Sequence, residues 1–371
     1  MAGIYIHIPF CAKRCIYCGF FSTVRQEEAA RYVQAVCREL HLRSDYLEGA
    51  PVKTVYFGGG TPSRLTPEQL GRIISTIDSI FGLSSLEELT VECNPDDVTP
   101  TYIRALQSIG VNRISMGVQT FSDDLLGFLG RRHNSRQAID AVQVCHQAGI
   151  DNVSIDLMYG LPGQTAAIQQ HDLEVATSLD VRHISSYCLS YEEGSPLYHM
   201  RAEKRITPIE DDICAAMYDR MCNHLHNAGF NHYEISNFCR PGYHSRHNSS
   251  YWDGTPYLGL GAGAHSYNRQ FRQWNPDNLD AYITAIEQGT PQFEAEHLSA
   301  TDQYNEKIML SLRTAQGLNL TTLTSQDRLF VLNSAQPFIG QGELVLNENY
   351  LCIPESGMFI SDSIISSLFK A

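Results

Sequence analysis

Apolar residues in the opening run Gly3-Ile4-Tyr5-Ile6-His7-Ile8 recur at every second position, the period of a β-strand. The segment 27–47 then carries its apolar residues at helical spacing, so the first predicted unit is a strand followed by a helix. Further β-rich runs at 52–57, 89–93, 113–118, 152–158 and 183–189 alternate with helical segments, which makes six strands. Runs of this kind, buried on both faces and linked through helices, predict an α/β fold with parallel strands in a barrel or a doubly wound sheet. In either arrangement ligands gather at the C-terminal strand ends. The loops placed there are 9–18, Gly58-Gly59-Gly60-Thr61-Pro62, Asn94-Pro95, the position Gln119, and Gly160-Leu161-Pro162-Gly163.

After Asp211 the alternation stops. A helix to about residue 228 and a short strand at 232–235 precede a stretch rich in Gly, His and Tyr, 242–267, which reads as a lid or side wall. From about residue 302 come a helix, a second helical segment, and two alternating strands at 343–346 and 350–353 joined by Asn347-Glu348-Asn349. The expected organisation is therefore a barrel core at 1–210, a barrel extension or lid at 211–300, and a small winged-helix-like domain at 301–371.

Composition narrows the partners. With 41 Asp and Glu against 27 Lys and Arg, the formal charge of −14 repels polyphosphate, and clusters such as Arg131-Arg132-His133 are too short for a nucleic-acid track. No apolar run reaches bilayer length, and the first residues lack the pattern of a signal peptide, so a cytoplasmic protein is expected. Eleven cysteines in such a chain point to reduced thiols rather than a disulfide framework.

Three of these cysteines fall at i, i+4 and i+7 in Cys11-Ala12-Lys13-Arg14-Cys15-Ile16-Tyr17-Cys18. One loop can wrap them around a single metal centre. A [4Fe-4S] cluster normally takes four thiolates, so three would leave one iron open to a ligand. A zinc site completed by His7 or a distant histidine is the alternative on ligand chemistry alone.

C-x-x-x-C-x-x-C directly after a first strand resembles the radical S-adenosylmethionine (SAM) family, specifically its HemN/HemW branch. The resemblance implies a partial (β/α)6 TIM-like barrel and a [4Fe-4S] cluster on Cys11, Cys15 and Cys18. It also implies SAM contacts at Tyr5, Tyr17, Gly59, Gly60, Thr61, Glu92, Gln119, Arg131, Asp156 and His265. Residues of these types are chemically suited to SAM. Strand-end carboxylates can accept from ribose hydroxyls, a guanidinium pairs with a carboxylate, and glycines permit close backbone approach.

Two functions compete within that branch. Oxygen-independent coproporphyrinogen III oxidases of the branch carry a further cysteine two residues after the third and an N-terminal extension; here Phe20 stands in that place and Tyr5 comes almost at once. His247-Asn248-Ser249-Ser250-Tyr251-Trp252 instead matches the H-N-x-x-Y-W motif of the branch's heme chaperones. That reading implies heme contacts at His247, Tyr251 and Trp252, since a histidine among aromatics suits axial ligation and stacking. Its implied partners are heme, acceptor hemoproteins that include membrane-associated ones, and an electron donor such as flavodoxin or ferredoxin. Coproporphyrinogen dehydrogenase activity is not expected on this reading.

Overall fold

The structure, a computed structural model, describes residues 1–370. The first six strands are β1 (Ala2–Ile8), β2 (Val52–Gly59), β3 (Glu88–Cys93), β4 (Arg113–Gln119), β5 (Asn152–Tyr159) and β6 (His183–Cys188). They lie side by side in chain order, all parallel, with a helix or helices in each crossover. This is the expected partial (β/α)6 barrel.

A period of two along each strand sorts its residues between two environments. Ile4, Ile6 and Ile8 of β1, Val55 and Phe57 of β2, and Ile114, Met116 and Val118 of β4 join the main apolar core with the surrounding helices. The alternate positions are polar and face the interior: Thr54 on β2, Thr90 and Glu92 on β3, Arg113 and Ser115 on β4, Ser154 and Asp156 on β5. The outer set supplies the hydrophobic stabilisation, and the inner set supplies groups able to hold a polar ligand.

Six more strands extend this sheet. They are β7 (Asn231–Glu234), β8 (Asn237–Cys239), β9 (Tyr257–Leu260), β10 (His265–Tyr267), β11 (Phe271–Trp274) and β12 (Glu294–His297). Strands β8 and β7 continue the sheet antiparallel beyond β6, and β9 pairs parallel with β1 through Gly3↔Tyr257 to Ile6↔Leu260. Much of 211–300 therefore widens the sheet at both edges instead of folding over it. Its pairing partners lie far away in sequence, so their register is invisible in the local pattern.

The chain ends in the helices Ala300–Leu312 and Ser325–Gln341 and a three-stranded sheet of β13 (Leu318–Asn319), β14 (Val345–Asn347) and β15 (Tyr350–Cys352). Two helices beside a small antiparallel sheet give the winged-helix-like shape read from the sequence. Among the described residues no helix is long and apolar enough to cross a membrane.

Candidate functional site

The cysteine loop leaves β1 at Pro9 and is tied down at several points. Cys11 N–H donates to Thr23 O at 2.8 Å, and Thr23 N–H returns to Pro9 O at 2.7 Å. Phe10, fully buried, sets its ring edge-on to Tyr32 at 5.4 Å. Farther along, Ile16 N–H reaches Leu129 O, and Leu197 N–H reaches Ile16 O at 2.9 Å. Cys11, Cys15 and Cys18 are thereby held together on the rim of one cavity of about 670 Å³ at the C-terminal strand ends.

Beneath that loop, β2 ends in its glycine turn. A Cβ on Gly60 would sit 2.7 Å from the Pro9 carbonyl carbon, so the turn has to be glycine for the cysteine loop to cross it. Gly60 N–H donates to Ile8 O at 2.9 Å and Gly59 N–H to Glu92 Oε2 at 3.2 Å. What this turn offers an ammonium group is consequently its carbonyl oxygens. Thr61 hangs between the two loops, its hydroxyl 3.4 Å from Cys11 Sγ.

Arg131 spans the cavity. Its Nη1 donates to Cys15 Sγ at 3.5 Å, and its Nη2 donates to Asn94 Oδ1 at 2.7 Å and Gly117 O at 2.5 Å. Gly117 leaves room for this: a Cβ there would lie 3.0 Å from Gln119 Nε2 and 3.4 Å from Arg131 Nη2. The pairing of β4 with β5 slips between Gly117 and Gln119, and Gln119 itself adopts φ 73°. A left-handed, non-glycine residue at a cavity wall is backbone strain spent on aiming a side chain.

Two carboxylates form the floor. Glu92 accepts from Tyr56 OH at 2.8 Å as well as from Gly59. Burial pushes its carboxyl up to about 7, Tyr56 opposes the shift, and the nearby Asp156 adds to it. Burial likewise pushes Asp156 up to about 6, against the pull of Ser185 and Arg113. Both carboxyl groups therefore titrate near neutral pH, in a cavity that also holds a guanidinium and three thiols.

The three-thiol loop with an arginine at its edge fits a [4Fe-4S] cluster, and the adjoining cavity has the donors and acceptors that SAM requires. Comparison with known proteins then decides the family. Residues 5–173 match the radical SAM superfamily and residues 298–360 match the HemN C-terminal domain. The heme chaperone HemW of Bacillus subtilis is 37% identical, with 86% of this chain and 85% of that protein covered. HemW of Lactococcus lactis is also 37% identical, covering 85% and 82% of the two chains. The chain belongs to the HemW family of heme chaperones, within the radical SAM superfamily. Among solved structures, the coproporphyrinogen III oxidase HemN of Escherichia coli superposes with a TM-score of 0.85 at 21% identity, over 100% of this chain and 90% of that one, which establishes the shared fold.

Against that HemW-family background, the cavity gathers Cys11, Cys15, Cys18, Tyr17, Gly59, Gly60, Thr61, Glu92, Gln119, Arg131 and Asp156. Tyr5 and His265 do not line it. Tyr5 lies below the floor, where its hydroxyl donates to His7 Nδ1 at 3.2 Å because His7 Nε2–H is taken by Phe21 O at 2.9 Å. His265, on β10, is exposed and stacks with Trp274 at 5.8 Å. Strand β9 lies between β10 and β1, so the histidine sits two strands from β1 along the sheet.

The apolar part of the cavity wall comes from Met158 on β5 and Tyr187 and Leu189 at the end of β6. The strand-end position of Tyr187 and Leu189 is visible in the sequence; their side chains carry no distinctive chemistry to single them out.

The heme motif forms the short helix Arg246–Trp252, which does not line the cavity; Tyr56 lies between them, stacked on His247 at 5.1 Å and bonded to Glu92. His247 is fully buried. Its Nδ1 is 2.8 Å from Thr54 Oγ1 and its Nε2 is 2.9 Å from Tyr251 OH, so both ring nitrogens are engaged. Its backbone N–H and that of Arg246 donate to Glu88 at 3.0 and 2.9 Å, anchoring the helix across the barrel interior. Burial and the neighbouring Arg113 pull the His247 imidazole down to about 3, keeping it neutral.

Proposed function

We propose that this chain binds heme and passes it to acceptor hemoproteins in the cytoplasm, using a [4Fe-4S] cluster and SAM held in the mouth of the barrel. The observation that carries this reading is Phe20. It lines the cavity two residues beyond Cys18, 68% exposed, where the oxidases of the branch have a cysteine. A phenyl ring there cannot ligate a metal, so the loop lacks the further thiol that the oxidases carry.

Cys11, Cys15 and Cys18 would hold the cluster. When bound, the cluster and SAM together supply one-electron chemistry. Arg131 would pair with the SAM carboxylate beside Cys15, while its bonds to Asn94 and Gly117 fix the guanidinium before the ligand arrives. Glu92 and Asp156 would accept from the ribose hydroxyls, with Gln119 beside them, and Met158, Tyr187 and Leu189 would exclude water from the adenine face.

Heme would engage the helix Arg246–Trp252, with His247 as iron ligand and Tyr251 and Trp252 beside the macrocycle. The neutral imidazole and the motif support this assignment. The engaged nitrogens mean that the helix has to shift, breaking the His247 bonds to Thr54 and Tyr251, before heme can be ligated. An electron donor of flavodoxin or ferredoxin type would approach the exposed rim of the cysteine loop.

Two assays on one anaerobic, cluster-reconstituted sample test this: heme titration followed in the Soret region, and conversion of coproporphyrinogen III. Saturable heme binding without decarboxylation is expected. Turnover of coproporphyrinogen without heme binding would overturn the proposal.

A further inference from the structure

Away from the mouth, where the C-terminal domain meets the barrel extension, three donor side chains converge from three separate elements. Cys222 comes from the helix Asp211–Asn227, His232 from β7, and Glu355 from the turn Glu355–Ile360. One ligand atom from each lies within 4.8 Å of the other two. Tetrahedral zinc, with bonds of about 2.0–2.3 Å, sets its ligand atoms roughly 3.3–3.8 Å apart, so side-chain adjustments of about an ångström or less, the His232–Glu355 pair opening slightly, complete the triangle. We propose that Cys222, His232 and Glu355 form a zinc(II) site that fastens the C-terminal domain to the barrel.

The surroundings are built as such a site needs. His232 points Nδ1 at Glu355 Oε1, 3.0 Å away, and turns Nε2 toward the carbonyl oxygen of Ile235 at 3.4 Å. An Nε2–H held by a carbonyl leaves Nδ1 as the metal-binding nitrogen. Phe238 stacks on the ring at 4.1 Å and 12°, and Tyr218 meets it edge-on at 6.2 Å, so the imidazole plane is fixed. The Tyr218 hydroxyl, which has no oxygen or nitrogen partner among the described residues, lies beside Cys222 and would donate a hydrogen bond to a Cys222 thiolate.

Charge points the same way. The Glu355 carboxylate sits in the same cluster as Cys222, a negative charge that a divalent cation answers. Cys222 and His232 are shielded while the Glu355 side chain is 51% exposed, so the fourth position faces solvent and water can fill it. Sulfur, imidazole and carboxylate together select zinc over the hard cations magnesium and calcium.

Zinc is titrated against a chromophoric chelator into the cluster-reconstituted full chain, and zinc-edge X-ray absorption is recorded on the loaded protein. About one zinc per chain is expected, with a single sulfur and otherwise nitrogen and oxygen in its shell. Cys222→Ser and His232→Ala should each weaken zinc binding at least ~10-fold with the iron content unchanged. Glu355→Gln, on an exposed turn where folding is not at stake, should weaken it measurably. A shell of three sulfurs would place the zinc on the Cys11 loop and overturn the proposal. Zinc affinity unchanged in Glu355→Gln and in the two other variants would do the same.

Discussion

The two ends of the barrel carry similar side-chain chemistry and treat it in opposite ways. At the mouth, Glu92, Asp156, Gln119 and Arg131 face an open cavity of about 670 Å³. Deeper in the barrel, His247, Tyr251, Thr54 and Glu88 bond to one another and close the interior. A ligand at the mouth meets groups already aimed at it. A ligand for His247 must first displace protein partners, each bond worth about 0.5–1.5 kcal/mol net. The residue types at the two ends are alike; burial and pairing decide which are available.

The contrast is broken most severely at the mouth. Changing Cys11, Cys15 or Cys18 singly to Ala should abolish the iron–sulfur absorbance of reconstituted protein. Cys37→Ala and Cys145→Ala should retain it, because both thiols sit in the helical part of the apolar core. A full cluster in Cys15→Ala would remove the three-thiol assignment and the preorganised mouth with it.

The next effect tests preorganisation itself. Arg131→Ala removes a half-buried cation with several partners, and charged hydrogen bonds of this kind contribute about 1.5–3 kcal/mol. SAM should bind ~10–100-fold more weakly by equilibrium titration while the cluster still assembles. Gly117→Ala should reproduce part of that loss, since its new Cβ crowds the guanidinium at 3.4 Å and the Gln119 carboxamide at 3.0 Å. Unchanged SAM affinity in both variants would show that the arginine is structural.

These effects also mark what the sequence could and could not disclose. The parallel strands and the cysteine loop were legible because period-two patterning and i, i+4, i+7 spacing are local signals. Gly117 was not, since its role exists only once Arg131 reaches back across the cavity from 14 residues away. That His265 stands outside the cavity lining was not legible either, since β9 inserts beside β1 and places β10 one strand farther along the sheet through long-range pairing. Cys222, His232 and Glu355 gave no motif, as their spacing is set by tertiary packing alone.

A smaller effect comes from pH. Glu92 has its carboxyl raised to about 7 and Asp156 to about 6, so both are ionised at pH 8 and Glu92 is largely protonated at pH 6. Protonation removes the charged acceptor for a ribose hydroxyl, so SAM affinity should fall as pH drops through that range, by about tenfold overall. Glu92→Gln should flatten most of the slope. A slope unchanged in that variant would assign it to the titration of the ligand.

The smallest effect probes the closed end. Tyr251→Phe deletes the hydroxyl that occupies His247 Nε2 at 2.9 Å and leaves the ring that meets Tyr257 edge-on. Losing one hydrogen bond of about 1 kcal/mol shifts the helix toward its open state, so heme should bind ~5-fold more tightly or faster, read in the Soret band. His247→Ala should instead lose the histidine-ligated spectrum, and it should lower stability by about 2–4 kcal/mol because Thr54 and Tyr251 are left unpaired beside a void. The two variants disturb the same hydrogen bond and are expected to move heme binding in opposite directions. If both left the spectrum and affinity as they were, His247 would be a core histidine, and the heme would have to be held elsewhere.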